Sequence, residues 1–275
     1  VACRSKVLYT MKLKVGLTYD LRQDYLARGY APEEVAEFDS EATIAALEEA
    51  LRANGYEPER IGNARTLCQR LVAGHRWDLV FNIAEGLRGR SREAQVPCLL
   101  ELYEIPYTFS DPLVCAVTLD KAVAKRLVQA AGLHTASFAV IHDEAALTRL
   151  ALEYPLFAKP LAEGTGKGID EKSQIPSPAE LAPVVRKLLD RFRQPVLVEE
   201  YLPGREFTVG ILGTGRAARV LGTLEVCIRP AANSNVYSYA VKERCEELVD
   251  YRPCAPGPLL DAVENLACRA YRVLE

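Results

Sequence analysis

Histidine, methionine and tryptophan are scarce in this chain, which has three, one and one of them among 275 residues. Eight cysteines are present, but no two of them form a C-x-x-C pair. A zinc site of the common Cys and His type is therefore not expected. Cys68, Cys98 and Cys268 lie within apolar helical patterns. We expect them to be small buried hydrophobic residues in a reducing compartment.

Long hydrophobic runs and an excess of basic charge are also missing. No apolar run reaches the roughly 18 residues that a membrane-spanning helix needs. The formal net charge is −3, which gives no general attraction to nucleic acid or to anionic membranes. We therefore expect neither nucleic acid nor a membrane as a partner, and any polyanion site must be a local cluster of lysines.

The chain contains a single methionine, Met11. The residues before it have no apolar stretch long enough for the core of a signal peptide. We interpret Met11 as the natural start, and residues 1–10 as leader or misassigned upstream sequence.

Strand and helix patterns alternate along the chain, which is typical of an α/β protein. Ser40, Asp120 and the pair Ser177-Pro178 are suitable first residues for helices, and apolar residues recur at helical spacing after each. The pattern also predicts helices near residues 144–152 and over residues 258–274. Residues 78–83 have the pattern of a buried strand, and the loop that begins Glu85-Gly86 follows its carboxyl end. Because open α/β sheets bind ligands at that end of their strands, we expect this loop to lie near a ligand.

A glycine-rich turn follows a short apolar strand near the middle of the chain. Residues 156–160 (LFAKP) carry Lys159 on a strand predicted to be buried, which is costly unless an anion meets the ammonium group. Gly164, Gly166 and Gly168 would let backbone N–H groups approach a phosphate closely. The turn is not a Walker A loop, since its lysine is followed by glycine rather than by Ser or Thr. We expect that lysine, Lys167, to be exposed on the turn. A carboxylate partner for Lys159 and a flexible hairpin are the alternatives.

Residues 196–207 (VLVEEYLPGREF) place paired glutamates at the end of another predicted strand. Glu200 and the backbone after it could contact an adenine edge, and Glu206 could accept hydrogen bonds from ribose. Taken alone, surface carboxylates at a strand end are the better interpretation. Lys121, in the first turn of a helix, would by itself be an ordinary surface lysine. Residues 237–242 (YSYAVK) predict a mobile loop that carries a lysine, as lids often do.

The order of these segments resembles that of the D-alanine–D-alanine ligases, a family of the ATP-grasp superfamily. The matching segments cover most of the chain and are residues 99–108, 118–121, 157–160, 163–166, 198–201, 204–209 and 237–242. An unrelated protein would rarely supply all of them in this order.

The resemblance implies an α/β fold of the ATP-grasp type, with ATP held between the two parts of an ATP-grasp domain. Residues 11–116 would form an N-terminal Rossmann-like substrate domain. Residues 117–200 and 201–275 would form the first and second ATP-grasp subdomains, the last of them incomplete.

The resemblance also implies roles for individual residues. Lys121 and Lys159 would contact ATP phosphates, and Lys242 would reach them from the lid. Thr165 and Gly166 would cap the γ-phosphate. The adenine and ribose contacts would come from Glu199, Glu200, Leu202 and Glu206. The family activates one D-alanine carboxylate as an acyl phosphate, which the amine of a second D-alanine attacks, so the protein neutralises charge and positions its substrates.

Three departures from the family pattern lie near the amino-acid pockets. Residues 18–22 (TYDLR) lack the usual glycine pair and glutamate, and either Glu37 or Glu41 could take the role of that glutamate. Glu85 stands where the family has the histidine of a His-Gly pair. Glu243 follows the lid lysine, where the family usually has tyrosine. The use of ATP is therefore better supported than D-alanine as the substrate.

In the family, the strands that hold Mg²⁺ follow the helix that corresponds to residues 262–274. We therefore expect the Mg²⁺ ligands beyond residue 275, no metal ligand within the sequence, and no turnover by residues 1–275 alone. The family also implies a cytoplasmic protein of peptidoglycan precursor synthesis and, on its habit alone, a homodimer. A ligase for other amino acids and a nucleotide-binding module without catalysis are the alternatives, which a panel of amino-acid substrates and an ADP-release assay would separate.

Overall fold

The computed structural model describes residues 12–232 and 235–275. The proposed leader, residues 1–10, and the expected start at Met11 lie outside the described residues. The chain divides into two compact units, Val1–Cys115 and Ala116–Glu275. The expected domain limits stay predictions. Within the described part of the chain, no helix combines the length and apolar character that crossing a membrane requires.

The first unit is built on a parallel sheet of three strands in the order β2-β1-β3. The strands are β1 (Lys14–Thr18), β2 (Glu57–Gly62) and β3 (Leu79–Asn82). The helices are α1 (Arg22–Leu26), α2 (Glu41–Ala53), α3 (Ala64–Val72) and α4 (Gln95–Leu102), and α5 (Pro112–Leu119) reaches the second unit. The Ser40 side chain accepts from Thr43 N at 3.1 Å, so the predicted start of α2 is confirmed.

The core of the first unit lies between the sheet and helices α3 and α4, where Leu67, Leu71, Trp77, Val80 and Leu100 are buried. The expectation of buried cysteines on these helices is wrong. Cys68 and Cys98 are exposed, because leucines and not cysteines occupy the sides of α3 and α4 that face the core.

The second unit contains two antiparallel sheets. The first has the strand order β4-β7-β5-β6 and consists of β4 (Phe138–Ile141), β5 (Leu156–Pro160), β6 (Gln174–Ile175) and β7 (Val196–Glu200). Its helices are α6 (Lys121–Ala130) and α7 (Pro178–Phe192). The Asp120 carboxylate accepts from Ala122 N and Val123 N, both at 3.1 Å, and thereby caps α6 as predicted.

The other sheet has the order β10-β9-β8. It consists of β8 (Glu206–Leu212), β9 (Arg219–Ile228) and β10 (Val249–Pro253), with helices α8 (Tyr239–Glu243), α9 (Cys245–Leu248) and α10 (Pro258–Leu274). The final helix has the bounds that the sequence predicts, and Cys268 within it is partly exposed rather than buried. The predicted helix near residues 144–152 is instead a short 3₁₀ segment, Glu144–Arg149.

Pairing between β5 and β7 decides which side chains face the core. Leu156, Ala158 and Val198 are buried in the core against α7. Because side chains alternate along a strand, Phe157 and Lys159 lie on the opposite face. Phe157 pairs with Glu199 across the two strands, so Glu199 lies on that face too. The sheet therefore presents a phenylalanine, a lysine and a glutamate together, away from its core.

Candidate functional site

The second unit contains a cavity of about 680 Å³ on this face of the sheet. Its walls come from α6, β5, β7, the segment that joins β7 to β8, and α8. The structure brings together the predicted residues Lys121, Lys159, Glu199, Glu200, Leu202, Glu206 and Lys242, all of which line the cavity. Thr165 and Gly166 are not among its lining residues.

Glu199 is the electrostatic centre of the cavity. Its Oε1 accepts from Lys159 Nζ at 2.6 Å, and its Oε2 accepts from Lys125 Nζ at 2.8 Å. Burial by itself would raise the pKa of the Glu199 carboxyl, but the two ammonium groups outweigh burial and hold that pKa below its usual range. The alternative of a carboxylate partner for Lys159 is thus what the structure shows. One carboxylate shared by two lysines still leaves an excess of positive charge.

Lys125 lines the cavity, and the sequence analysis missed it. Besides the bond to Glu199, its Nζ donates to Thr135 Oγ1 at 2.8 Å. The signal that could have found it is its spacing: Lys125 follows Lys121 by one helical turn, so both lysines lie on one face of α6.

Lys121 connects α6 to the glycine-rich turn. Its Nζ donates to the backbone oxygen of Leu161 at 3.4 Å and to that of Glu163. The Glu163 carboxylate in turn accepts from Gln194 Nε2 at 2.6 Å. The start of the turn is therefore fixed from both sides, and the Lys121 ammonium group is held at the edge of the cavity.

Aromatic and apolar side chains line another part of the cavity. The rings of Phe157 and Tyr201 stack, with centroids 6.1 Å apart and an angle of 21° between the planes. Leu202 is 67% exposed although it lines the cavity. Glu200 Oε2 accepts from Ser137 N at 3.3 Å, which fixes the end of β7. An exposed leucine beside backbone groups at a strand end suits a flat heteroaromatic ring.

The glycine-rich turn packs against the start of α8. Thr165 and Gly166 have φ of 53° and 77°, and a Cβ on Gly166 would lie 3.1 Å from Tyr239 N. The expectation that Lys167 lies on an exposed turn is wrong. Its side chain is 11% exposed and pairs with Glu163 at 2.8 Å, because the turn folds back onto its own acidic residue.

Lys242 and Glu206 lie at the mouth of the cavity near α8. Lys242 Nζ lies 4.6 Å from the centre of the Tyr237 ring, a cation–π contact. Loss of solvent raises the pKa of the Glu206 carboxyl, and the charges of Lys242 and Lys159 oppose that rise. Both lysines therefore act electrostatically on Glu206.

A Gly166→Ala substitution is expected to destabilise the fold by about 1–2 kcal/mol, because an L-residue at positive φ is strained. The new methyl group would also press on the start of α8. Gly204→Ala is a matched control, since a Cβ there meets no atom within 4 Å. The free energy of unfolding in urea measures both. Equal stability of the two variants would contradict the packing of the turn on α8.

The predicted substrate residues of the first unit form a separate group. Glu37 is buried and forms an ion pair with Arg92, with Oε2 2.9 Å from the guanidinium nitrogen. Burial, together with the charges of Glu93 and Glu37 and against the opposing charge of Arg92, raises the pKa of Glu85 to about 7. Glu41 is instead paired with Arg60 at 2.6 Å on the surface. Of the two alternatives, Glu37 is thus the one near Glu85.

Glu243 is exposed and is not among the residues that line the cavity of the second unit. Within residues 12–232 and 235–275, no group of three or more His, Cys, Asp or Glu side chains could hold a metal ion.

Comparison with known proteins identifies the family. The family described as D-ala D-ala ligase C-terminus matches residues 127–275. A D-alanine–D-alanine ligase of Marinomonas is 30% identical over 236 residues, which are 82% of this chain and 70% of that protein. The chain belongs to the D-alanine–D-alanine ligase family. Another D-alanine–D-alanine ligase, from Bordetella petrii, is 35% identical over 213 residues, and the match spans 76% of this chain but only 62% of that relative.

Solved structures of this family show the same fold. The VanG D-Ala:D-Ser ligase of Enterococcus faecalis superimposes with a TM-score of 0.68 at 19% identity, covering 96% of this chain and 83% of that one. A D-alanine–D-alanine ligase of Bacillus anthracis complexed with ATP gives a TM-score of 0.63 at 18% identity, covering 95% of this chain and 78% of that one. The ATP-grasp fold predicted from the sequence is confirmed.

Proposed function

We propose that the protein is an ATP-dependent carboxylate–amine ligase that joins two D-alanines through an acyl phosphate, for peptidoglycan precursor synthesis. The observation that carries this proposal is the lysine-lined cavity of the second unit. Lys121, Lys125, Lys159 and Lys242 line it, and Lys125 and Lys159 both donate to the buried carboxylate of Glu199. Family membership supports the reaction class.

We expect a nucleotide to lie along the length of the cavity. The stacked Phe157 and Tyr201 with Leu202 provide a flat surface for adenine, and the end of β7 provides edge contacts through Glu200. Glu206 would accept from ribose hydroxyls. At the lysine end, Lys159 and Lys121 would neutralise phosphate charge. Such positioned charges favour phosphoryl transfer because negative charge is spread over the transferred group.

The glycine-rich turn and α8 would close over the phosphates. Thr165 and Gly166 would donate backbone N–H groups to the γ-phosphate, and Lys242 would approach from α8. The contact between Gly166 and the start of α8 supports this arrangement, because it lets the turn and the helix move as one. Closure would exclude water, which would otherwise hydrolyse the acyl phosphate.

The amino-acid substrates would be bound by Glu37, Glu85 and Glu243. The buried pair of Glu37 with Arg92 and the raised pKa of Glu85 support a polar pocket in the first unit. Since this pocket departs from the family pattern at Glu85, a ligase for other amino acids is the second candidate. ADP release measured against a panel of D- and L-amino acids separates the two, and preference for an amino acid other than D-alanine would overturn the first.

The resemblance alone carries three further proposals. Mg²⁺ accompanies ATP in the site. The protein works in the cytoplasm, and it forms a homodimer. Assaying ADP release with and without Mg²⁺ tests the first. ATP binding without ADP release in the presence of Mg²⁺ would favour a nucleotide-binding module without catalysis.

ATP is expected to stabilise the second unit against heat. A ligand at about 100 times its dissociation constant adds about 2.7 kcal/mol, which in a protein of this size raises the melting temperature by roughly 5–10 °C. Differential scanning calorimetry with and without millimolar Mg-ATP measures the shift. The absence of any shift would contradict a nucleotide site in the cavity.

A further inference from the structure

A cleft in the first unit is lined by arginines that the proposed function does not use. It has a volume of about 210 Å³ and is smaller than the usual pocket for a drug-sized ligand. Arg28, Arg65 and Arg88 line it, together with Tyr25 and Asp20. The arginines come from the turn after α1, the first turn of α3 and the loop after β3. Ligands of open α/β sheets bind at this end of the strands.

The three guanidinium groups have no carboxylate partner among residues 12–232 and 235–275. Arg28 is held by packing instead: its guanidinium carbon lies 5.1 Å from the centre of the Tyr25 ring and 5.4 Å from that of Tyr30. Stacking on aromatic faces fixes a guanidinium group while leaving its in-plane N–H donors available. Arg28 is thus oriented in advance for an oxyanion.

The single carboxylate of the cleft does not neutralise the arginines. Asp20 is 2% exposed, its Oδ1 accepts from the Tyr25 hydroxyl, and its Oδ2 accepts from Gly86 N at 2.9 Å. These bonds turn Asp20 toward the protein and make it the anchor of the loop after β3. Gln95 Nε2 donates to Arg88 O at 3.2 Å and fixes the same loop from the other side.

We propose that this cleft binds a small oxyanion, a carboxylate or a phosphate, through Arg28, Arg65 and Arg88. Arginine forks match the planar oxygens of a carboxylate and the tetrahedral oxygens of a phosphate in two-bond contacts. The volume accommodates the anionic group of a small molecule and not a whole nucleotide. The inference concerns the first unit alone and does not rest on the proposed ligase activity.

The test is titration of the 275-residue chain with inorganic phosphate and, separately, with glutarate, at low ionic strength. Two-dimensional amide NMR reports where each anion binds. The amide signals of Arg65, Gly86 and Arg88 are expected to shift in a saturable way. Phosphate saturating these signals while glutarate does not assigns the site to phosphates, and the reverse assigns it to carboxylates. Shifts with neither anion, or equal shifts with chloride, would overturn the proposal.

Variants separate this cleft from the lysine cavity. Arg65→Gln and Arg88→Gln are each expected to weaken binding of the anion by roughly 10- to 100-fold, which is the effect of losing a charge-assisted hydrogen bond. Arg52→Gln is the matched control, because Arg52 is an exposed arginine of α2 outside the cleft. Lys159→Ala, which is expected to weaken ATP binding in the second unit, should leave the anion-dependent signals of the first unit unchanged. If Arg52→Gln weakened binding of the anion as much as Arg65→Gln does, the binding would depend only on the overall charge of the protein, which would overturn the proposal.

Discussion

Replacing Lys159 by alanine is expected to weaken ATP binding by roughly 10- to 100-fold, because a charge-assisted contact to phosphate is lost. The fold should survive the change. Glu199 keeps Lys125 as a partner at 2.8 Å, so its buried carboxylate does not become unpaired. Isothermal titration calorimetry with ATP measures the loss, and circular dichroism confirms that the variant is folded.

Two other lysines provide comparisons for Lys159. Lys187 is exposed and paired with Asp170 outside the cavity, so Lys187→Ala should leave ATP affinity unchanged. Lys167→Ala should reduce the affinity for ATP less than Lys159→Ala does, because Lys167 is paired with Glu163 and does not line the cavity. An equal loss of ATP affinity in the Lys159→Ala and Lys167→Ala variants would show that the phosphates lie at the glycine-rich turn and not on the face of the sheet.

A Glu85→Gln variant is expected to be more stable than the parent chain above pH 7 and equally stable below about pH 4.5. The pKa of Glu85 is raised from 4.5 to about 7 in the folded state. The folded chain therefore holds this proton more tightly than the unfolded chain does, and the stability that Glu85 contributes is lost as the pH rises through this window. The full difference is on the order of 2–3 kcal/mol.

Urea unfolding of both chains between pH 5 and pH 8 measures this difference. Neighbouring groups also act on Glu85, namely Glu93, Glu37, Arg92 and Asp39, so the difference between variant and parent is what counts. Glu49→Gln, at an exposed position of α2, serves as the control. A pH-independent difference between Glu85→Gln and the parent would show that Glu85 is ionised throughout and is not buried among acidic neighbours.

Local signals in the sequence predicted much of the fold. Ser40 and Asp120 are helix N-caps because their side chains satisfy the first N–H groups of the helix, which depends on adjacent residues only. Strand alternation likewise explains why Lys159 lies off the core face, since Leu156 and Ala158 are buried. The bounds of α10 follow from its helical spacing and from the proline at its start.

The features that the sequence did not predict correctly depend on contacts between segments that are distant along the chain. Lys125 binds Glu199, which is 74 residues away along the chain, and only the pairing of β5 with β7 brings that carboxylate to α6. Cys68 matches the apolar pattern of α3, yet Leu67 and Leu71 are the residues of this helix that are buried in the core. Lys167 looked exposed because a glycine-rich turn gives no sign of folding back onto Glu163.

A crystal structure of the chain with a non-hydrolysable ATP analogue would show where the nucleotide binds. We expect phosphates within hydrogen-bond distance of Lys121, Lys159 and Lys242, and adenine against Leu202 beside the end of β7. Electron density for the nucleotide outside this cavity, or an empty cavity at saturating analogue, would contradict this expectation.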